Sequence, residues 1–391
     1  MNNLLERKYS DLLARILDSA HKKNYSGYSK FDALNSPLFH FLSFRNQWVR
    51  CFWTQIVKEC PVNIRPFFGV KKSRNPKGIA LFARAYFFLY KKIGKKQFLD
   101  EGLSLLQWLL NHPSPNQRNL CWGYNFFWQN IPPFFQDKDR PNCVVTVFVG
   151  EALLHAYNLT QDKIYLEASI SVSKFLTEDL PVLSESKEER AVAYICGKVN
   201  SVVLNNQVLC GAFFAKLWEV TQEASLLDIA TRQLNYTFKR KTDYHAWYYA
   251  EPKERSPVRH DNYHTGGILD GFLEYFEATQ DDRFMSGYWN GLEFYRKNLF
   301  EEDGAPRWMS DKKYPFDIHG AAQGIITFLK AARHKKEYFK EAEKILDWTF
   351  KNLYREKTQD FAYRKGRFLK WNYTLMRWCN AWMARALGEI I

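Results

Sequence analysis

The chain is poor in several features that would place it at once. Its seven cysteines include no Cys-x-x-Cys pair, and an odd count without paired spacing argues for reduced thiols in a cytoplasmic protein and against a zinc site. No apolar stretch reaches the length of a membrane span; "IALFARAYFFLY" is typical in being broken by charge. The opening "MNNLLERKYSDLLARILDSAHKK" has acids in its first helical stretch and no apolar core or small-residue cleavage site, so it does not read as a secretory signal. Lys and Arg form no block or tail, and no nucleic-acid-binding signature accompanies them. What is abundant is charge of one sign overall, +14, and aromatic residues: 13 Trp, 22 Tyr and 31 Phe. The surplus favours an anionic partner, either an acidic polysaccharide or, peripherally, a membrane surface. The aromatics supply a core, and flat rings also cover the apolar faces of sugars.

A weak internal repeat organises the chain. "NLTQDKIYLEASISVSKFL", "EVTQEASLLDIATRQLNYTF" and "EATQDDRFMSGYWNGLEFY" share a Thr-Gln-acid turn at Thr160, Thr221 and Thr279. An apolar residue follows five positions after each Thr, and an aromatic ten further on. With two units lacking Thr-Gln, the starts fall at 98, 165, 226, 284 and 338, a period that indicates stacked helical hairpins. Ahead of each lies a Gly-, Ala- and Ser-rich apolar stretch, beginning near Lys77, Asn142, Asn200, Asp261 and Asp317, with a sixth near Trp371. These read as inner helices, and the charged second members as outer ones. The expectation is an all-α (α/α)6 toroid, a six-hairpin glycosidase-like barrel, as one domain over residues 1–391 with 1–60 as an N-terminal outer helical region.

In such a ring all inner helices point the same way, so their N-terminal N–H groups and dipoles favour anionic groups on one face. The first turns there carry Asn205 and Asn206, then Arg259, Asp261, Tyr263 and His264. The next two inner helices bring Asp317, His319 and Gln323, followed by Tyr373, Arg377, Trp378 and Trp382. Long loops add Trp122, Tyr124, Trp128, Trp247 and Arg364. Asp261 and Asp317 read equally well as helix caps. Asn205 and Asn206 sit in an apolar run where a buried amide needs partners. Two chemistries fit. Proton abstraction beside a carboxylate would use Tyr263, His264 and His319, with Asn205 and Arg259 neutralising the acid group. Glycoside hydrolysis would use Asp261 and Asp317. Neither needs a metal or cofactor.

The pattern resembles the six-hairpin glycosidase and lyase superfamily. "VRHDNYHTGGI" is similar to the Arg-x-Asp-Tyr-His-Thr segment of the D-glucuronyl C5-epimerases, from which it departs by Asn262, inserted between Asp261 and Tyr263. The order Asn, Tyr-His, His also resembles heparinase- and alginate-lyase-type toroids, at Asn205, Tyr263, His264 and His319. The whole chain further resembles uncharacterised bacterial toroid proteins associated with surface-polysaccharide genes. The resemblance implies an enzyme of uronate-containing glycans, either lyase or epimerase. Hydrolase and non-catalytic glycan-binding scaffold are the alternatives.

Overall fold

The computed structural model describes residues 3–132, 134–197 and 199–391; Met1, Asn2, Pro133 and Lys198, within the expected single domain, lie outside them. The helices of the N-terminal third are α1 (Asn3–Lys22), α2 (Pro37–Leu42), α3 (Gln47–Glu59), α4 (Pro76–Ile93) and α5 (Lys96–Leu110). Then come α6 (Cys143–Thr160), α7 (Lys163–Lys174), α8 (Leu204–Thr221), α9 (Ala224–Phe238) and α10 (Asn262–Thr279). The last are α11 (Met285–Asn298), α12 (Ile318–His334), α13 (Phe339–Asn352) and α14 (Trp382–Gly388). Among the described residues every strand is two to four residues long.

The repeated Thr-Gln-acid turn has a hydrogen-bonding cause. In all three copies the Gln is a left-handed C-cap, with φ of 57° at Gln161, 58° at Gln222 and 60° at Gln280. The Thr hydroxyl donates back to the carbonyl four residues earlier, Thr221 to Leu217 at 2.9 Å for instance. It accepts in turn from the N–H of the following acid. One side chain thus satisfies a terminal carbonyl and turns the chain into the next helix.

The chain groups into two compact units. In the unit of residues 117–121 and 142–349, α6, α8, α10 and α12 pack side by side in sequence order. They are buried nearly all round, whereas α7, α9 and α11 bury one face against the helix before them. That is the inner and outer division read from composition. Helix α6 is, by length and apolarity, able to cross a membrane, but it is mostly buried among its neighbours. Gly266 permits the approach of α10 to α12: a Cβ there would stand 2.5 Å from Gln323 Cγ.

Charges cross these inner helices as a ladder. Lys216 on α8 pairs with Glu151 on α6 and Glu274 on α10, each at 2.7 Å. Lys330 on α12 pairs with Glu274 at 2.5 Å and Asp270 at 3.2 Å. Burial alone would raise Glu274, but Lys216 and Lys330 outweigh it and hold its carboxyl well below the usual range. Asp270 is pushed up by its complete burial, against the pull of Lys330.

The other unit comprises residues 1–116, 122–141 and 350–391. There α4 is the buried helix, flanked by α5, α14 and α1. Gly78 lets the segment before α14 close on α4, since a Cβ would lie 3.2 Å from that of Arg377.

Two inner helices begin later than expected. The third starts at Leu204 rather than near Asn200, because Val202–Val203 pair as a strand with Ala250–Glu251 and only the next residue turns helical. β-Branched valines suit that pleat better than a first helical turn. The sixth does not start near Trp371, where Lys370–Trp371 pair with Arg364–Lys365. It begins as a π-helical turn, Met376–Ala381, that runs into α14.

Candidate active site

The segment Arg259–Gly267 resolves into distinct jobs. Asp261 is the extended N-cap of α10, and its Oδ1 accepts the His264 N–H at 3.0 Å. Its Oδ2 lies 2.7 Å from Nδ1 of the same histidine. A carboxylate there selects the tautomer with hydrogen on Nδ1 and presents Nε2 as the acceptor. His264 is half-buried, and the rings of Tyr249 and Tyr263 each lie 4.4 Å from its own. Tyr263 stacks on His319 with centroids 4.6 Å apart and planes 8° from parallel. His319 is buried on the first turn of α12, where Asp317, the N-cap, accepts its N–H at 2.9 Å. Tyr263, His264 and His319 therefore form one cluster, with both aspartates at its helix starts.

The other histidine of the segment, His260, serves the fold. It is buried, with Nδ1 2.9 Å from the Trp247 carbonyl and Nε2 3.0 Å from the Tyr244 hydroxyl. Burial lowers its pKa, so it stays neutral. Asn262, the inserted residue, also turns away: it donates to the Leu299 carbonyl at 3.0 Å and accepts from Tyr295 at 2.6 Å. Arg259 is exposed beside Tyr244. Gln323 is buried and donates to Asp270 at 3.0 Å. Trp247 is buried too, its indole N–H donating to the Thr237 carbonyl at 2.9 Å, which fastens its loop to α9. Asn206 is fully buried beside the Cys143 thiol. Asn205 Oδ1 is buried and accepts no hydrogen bond among the described residues. Such an oxygen costs about 1–3 kcal/mol, a cost that a ligand donor would offset.

The remaining expected residues belong to the other unit. Trp122 is buried and donates to the Leu109 carbonyl at 3.0 Å. Tyr124 stacks on Phe126 and meets Trp128 edge-on at 5.9 Å, while Trp128 stacks on Phe31. The buried Arg377 guanidinium lies 5.0 Å from the Tyr124 ring centre and 5.3 Å from that of Trp378, and its Nε makes no hydrogen bond among the described residues. Tyr373 donates to the Cys60 carbonyl at 3.3 Å, and Arg364 is buried in an ion pair with Glu59. Sequence reasoning missed two buried lysines here. Lys30 Nζ lies 3.9 Å over the Trp378 ring, and Lys77, on the first turn of α4, 5.0 Å over that of Trp382. "NPKGIALF" carried a signal for Lys77, a cation at the start of an apolar helix; "SGYSKFDAL" carried none for Lys30. This unit also has a pocket of about 780 Å³ near the start of α4, lined by Arg74, Trp108, His112, Trp122 and Asn125 among others. Some of its polar side chains bond one another, as Asn125 does to Ser73 at 2.6 Å and Arg74 to Asn24. Among the described residues no three His, Cys, Asp or Glu side chains are grouped to hold a metal ion.

No family model matches the chain. None of the curated proteins matches it either. Solved structures do. A heparin-specific unsaturated glucuronyl hydrolase superposes with a TM-score of 0.66 at 14% identity, over 99% of this chain and 97% of that one. Cellobiose 2-epimerase from Bacillus thermoamylovorans gives 0.64 at 11% identity, over 82% and 90%. A GH76 α-mannanase from Bacteroides thetaiotaomicron gives 0.63 at 16% identity, over 81% and 86%. The fold is the (α/α)6 toroid of these enzymes, as the hairpin period indicated.

Proposed function

We propose that the protein is a sugar-modifying enzyme that moves a proton at the carbon beside a carboxylate, as a uronate lyase or C5-epimerase does. The observation that carries this reading is the clamped set Asp261, His264, Tyr263 and His319. His264, tethered through Nδ1, offers Nε2 as the base that takes the proton from carbon. The electron pair left behind delocalises into the substrate carboxylate, where a hydrogen-bond donor such as the Asn205 side-chain NH2 stabilises the charge, leaving Oδ1 to accept from a sugar hydroxyl. Tyr263, held against His319, then returns a proton, to the opposite face of the carbon in epimerisation or to the leaving oxygen in elimination. In the other unit Arg377 is a buried guanidinium lying against rings, a group whose chemistry suits a carboxylate. The neighbours' names point to saccharides, a glucuronyl group in one and cellobiose in another. The free cysteines fit the reducing cytoplasm.

Hydrolysis by Asp261 and Asp317 would need Asp317 as the general acid and Asp261 as the ionised partner, because both Asp261 oxygens face N–H groups. The test is incubation with uronate-containing oligosaccharides in deuterated water. Deuterium at C5 without cleavage marks an epimerase, and an unsaturated uronate absorbing in the ultraviolet marks a lyase. Tyr263→Phe and Asp261→Asn should each lower the rate by a factor on the order of 10²–10⁴ with folding intact. A new reducing end with neither signal would move the assignment to hydrolase. Binding without any of the three products, unchanged in both variants, would leave a scaffold.

A further inference from the structure

The stretch 36–72 buries Phe39 and Val57 against Trp53, Ile64 and Phe68, and leaves a second set of apolar residues outside that cluster. Helix α3 buries Thr54 and Val57 and turns Trp48, Phe52 and Ile56, spaced four apart, to solvent. Before it, Phe44 and Arg45 occupy the left-handed region at φ 46° and 58°. That conformation is uncommon for a bulky residue, and it leaves Phe44 75% exposed, its ring 6.2 Å from Phe41, itself 72% exposed. Phe67 is 81% exposed. The hairpin Arg364–Trp371 is fastened to the end of α3 by the Arg364–Glu59 ion pair and by a 2.9 Å bond from the Trp371 indole to the Glu59 carbonyl. Its tip carries Phe368, 86% exposed, and Leu369.

Charge says what covers this surface. Residues 36–72 and 364–371 together hold ten Lys and Arg against a single acid, Glu59. Arg65 and Arg364 are buried in ion pairs, with Asp32 and Glu59. Arg45, Lys71, Lys72, Arg367 and Lys370 are exposed in the same stretches as the exposed aromatic residues, Arg367 5.0 Å from the Phe368 ring centre. A second copy of the chain would set these cations against their own kind. An anionic bilayer takes both components at once, rings at the headgroup boundary and cations at the phosphates.

We infer that α2, α3 and the Arg364–Trp371 hairpin form a docking face for an anionic lipid surface, on which the protein lies without spanning it. The full chain should float with phosphatidylcholine vesicles containing about 30% phosphatidylglycerol, and far less with phosphatidylcholine alone. The variant Phe41→Ser/Trp48→Ser/Phe52→Ser, altered only at exposed positions, should keep its circular dichroism and Tm and bind the anionic vesicles about a hundredfold more weakly. Lys71→Glu/Arg367→Glu should weaken the same binding by about thirtyfold or more. Equal binding by the Ser variant, or no preference for anionic vesicles, would overturn the inference. So would a patch-dependent dimer in light scattering, or patch-dependent binding of a soluble acidic polysaccharide without vesicle binding.

Discussion

Replacing Lys330 by Met tests the buried charge ladder. Lys330 is 5% exposed, with Nζ 2.5 Å from Glu274 and 3.2 Å from Asp270. Methionine retains most of the length and apolar stem but no charge. Asp270 would keep only the neutral donors Gln323 and Thr327, and Glu274 only Lys216. Removing one partner of a buried pair costs about 3–5 kcal/mol. In a unit of roughly two hundred residues each kcal/mol moves Tm by about 2–4 °C, so a fall of about 10 °C is expected. The pH dependence adds a signature. Asp270 already sits above the usual carboxylate range because it is buried, and losing Lys330 raises it further. A carboxyl whose folded pKa exceeds its unfolded one destabilises the fold once both are ionised, and that penalty fades as pH falls into the carboxylate range. Glu274 works in the same direction. Its folded pKa is depressed with Lys330 as one cause, so the wild-type protein holds that stability at neutral pH and loses it on acidification. The variant's deficit should therefore be largest near pH 7 and smallest near about pH 4. Urea and thermal unfolding at both pH values measure it. A deficit below about 1 kcal/mol, or one equal at the two pH values, would refute the ladder's role. The triple variant Lys330→Met/Asp270→Asn/Glu274→Gln, which also removes the stranded charges, should recover most of the loss.

Two further outcomes follow from local geometry. Thr221→Val keeps the shape of the turn but loses the bond to Leu217 and the acceptor for Glu223 N–H; urea unfolding should show a loss of about 1–2 kcal/mol. His260 has a folded pKa below its unfolded one because of burial, so its contribution is complete above about pH 6.5 and is lost as pH falls from there through the lowered folded pKa. His260→Gln should lower stability at neutral pH yet flatten the decline between neutral and mildly acidic pH; an unaltered slope would assign that decline elsewhere.

The hairpin architecture was legible because its signal is local. Each Thr-Gln-acid turn closes its own hydrogen bonds within four residues, so the pattern survives in the sequence. The gathering of Asp261, Tyr263 and His264 was legible for the same reason. What was hidden depends on distant partners. Lys216 and Lys330 look like solvent-facing charges until their carboxylates, 65 and 56 residues away, are placed beside them. Lys30 reads as a loop residue because Trp378 and Tyr363, which surround it, come from the far end of the chain. The late starts of α8 and of the last inner helix depend on strand pairing across loops. Asn262 was legible only as a departure from a motif; its partners on and after α11 show it to be an anchor.

Asp261 and Asp317 show how one structural position divides into two roles. Each is the N-cap of an inner helix, and each has one oxygen bound to a backbone N–H of the first turn. Asp317 meets the N–H two residues on, and Asp261 the N–H three residues on. The three-residue spacing matters because that residue is His264, whose ring folds back onto the second oxygen. The cap has already fixed the carboxylate, so the imidazole gains its orientation without a further side chain to order. Tyr263 stacks on His319 and meets the His264 ring at a tilt, so both rings hold it. The proposed proton roles rest on the same bonds. Both Asp261 oxygens face N–H groups, so in the proposed reaction Asp261 orients and His264 abstracts. The acid of that proposed reaction is then Tyr263, the phenol held against His319.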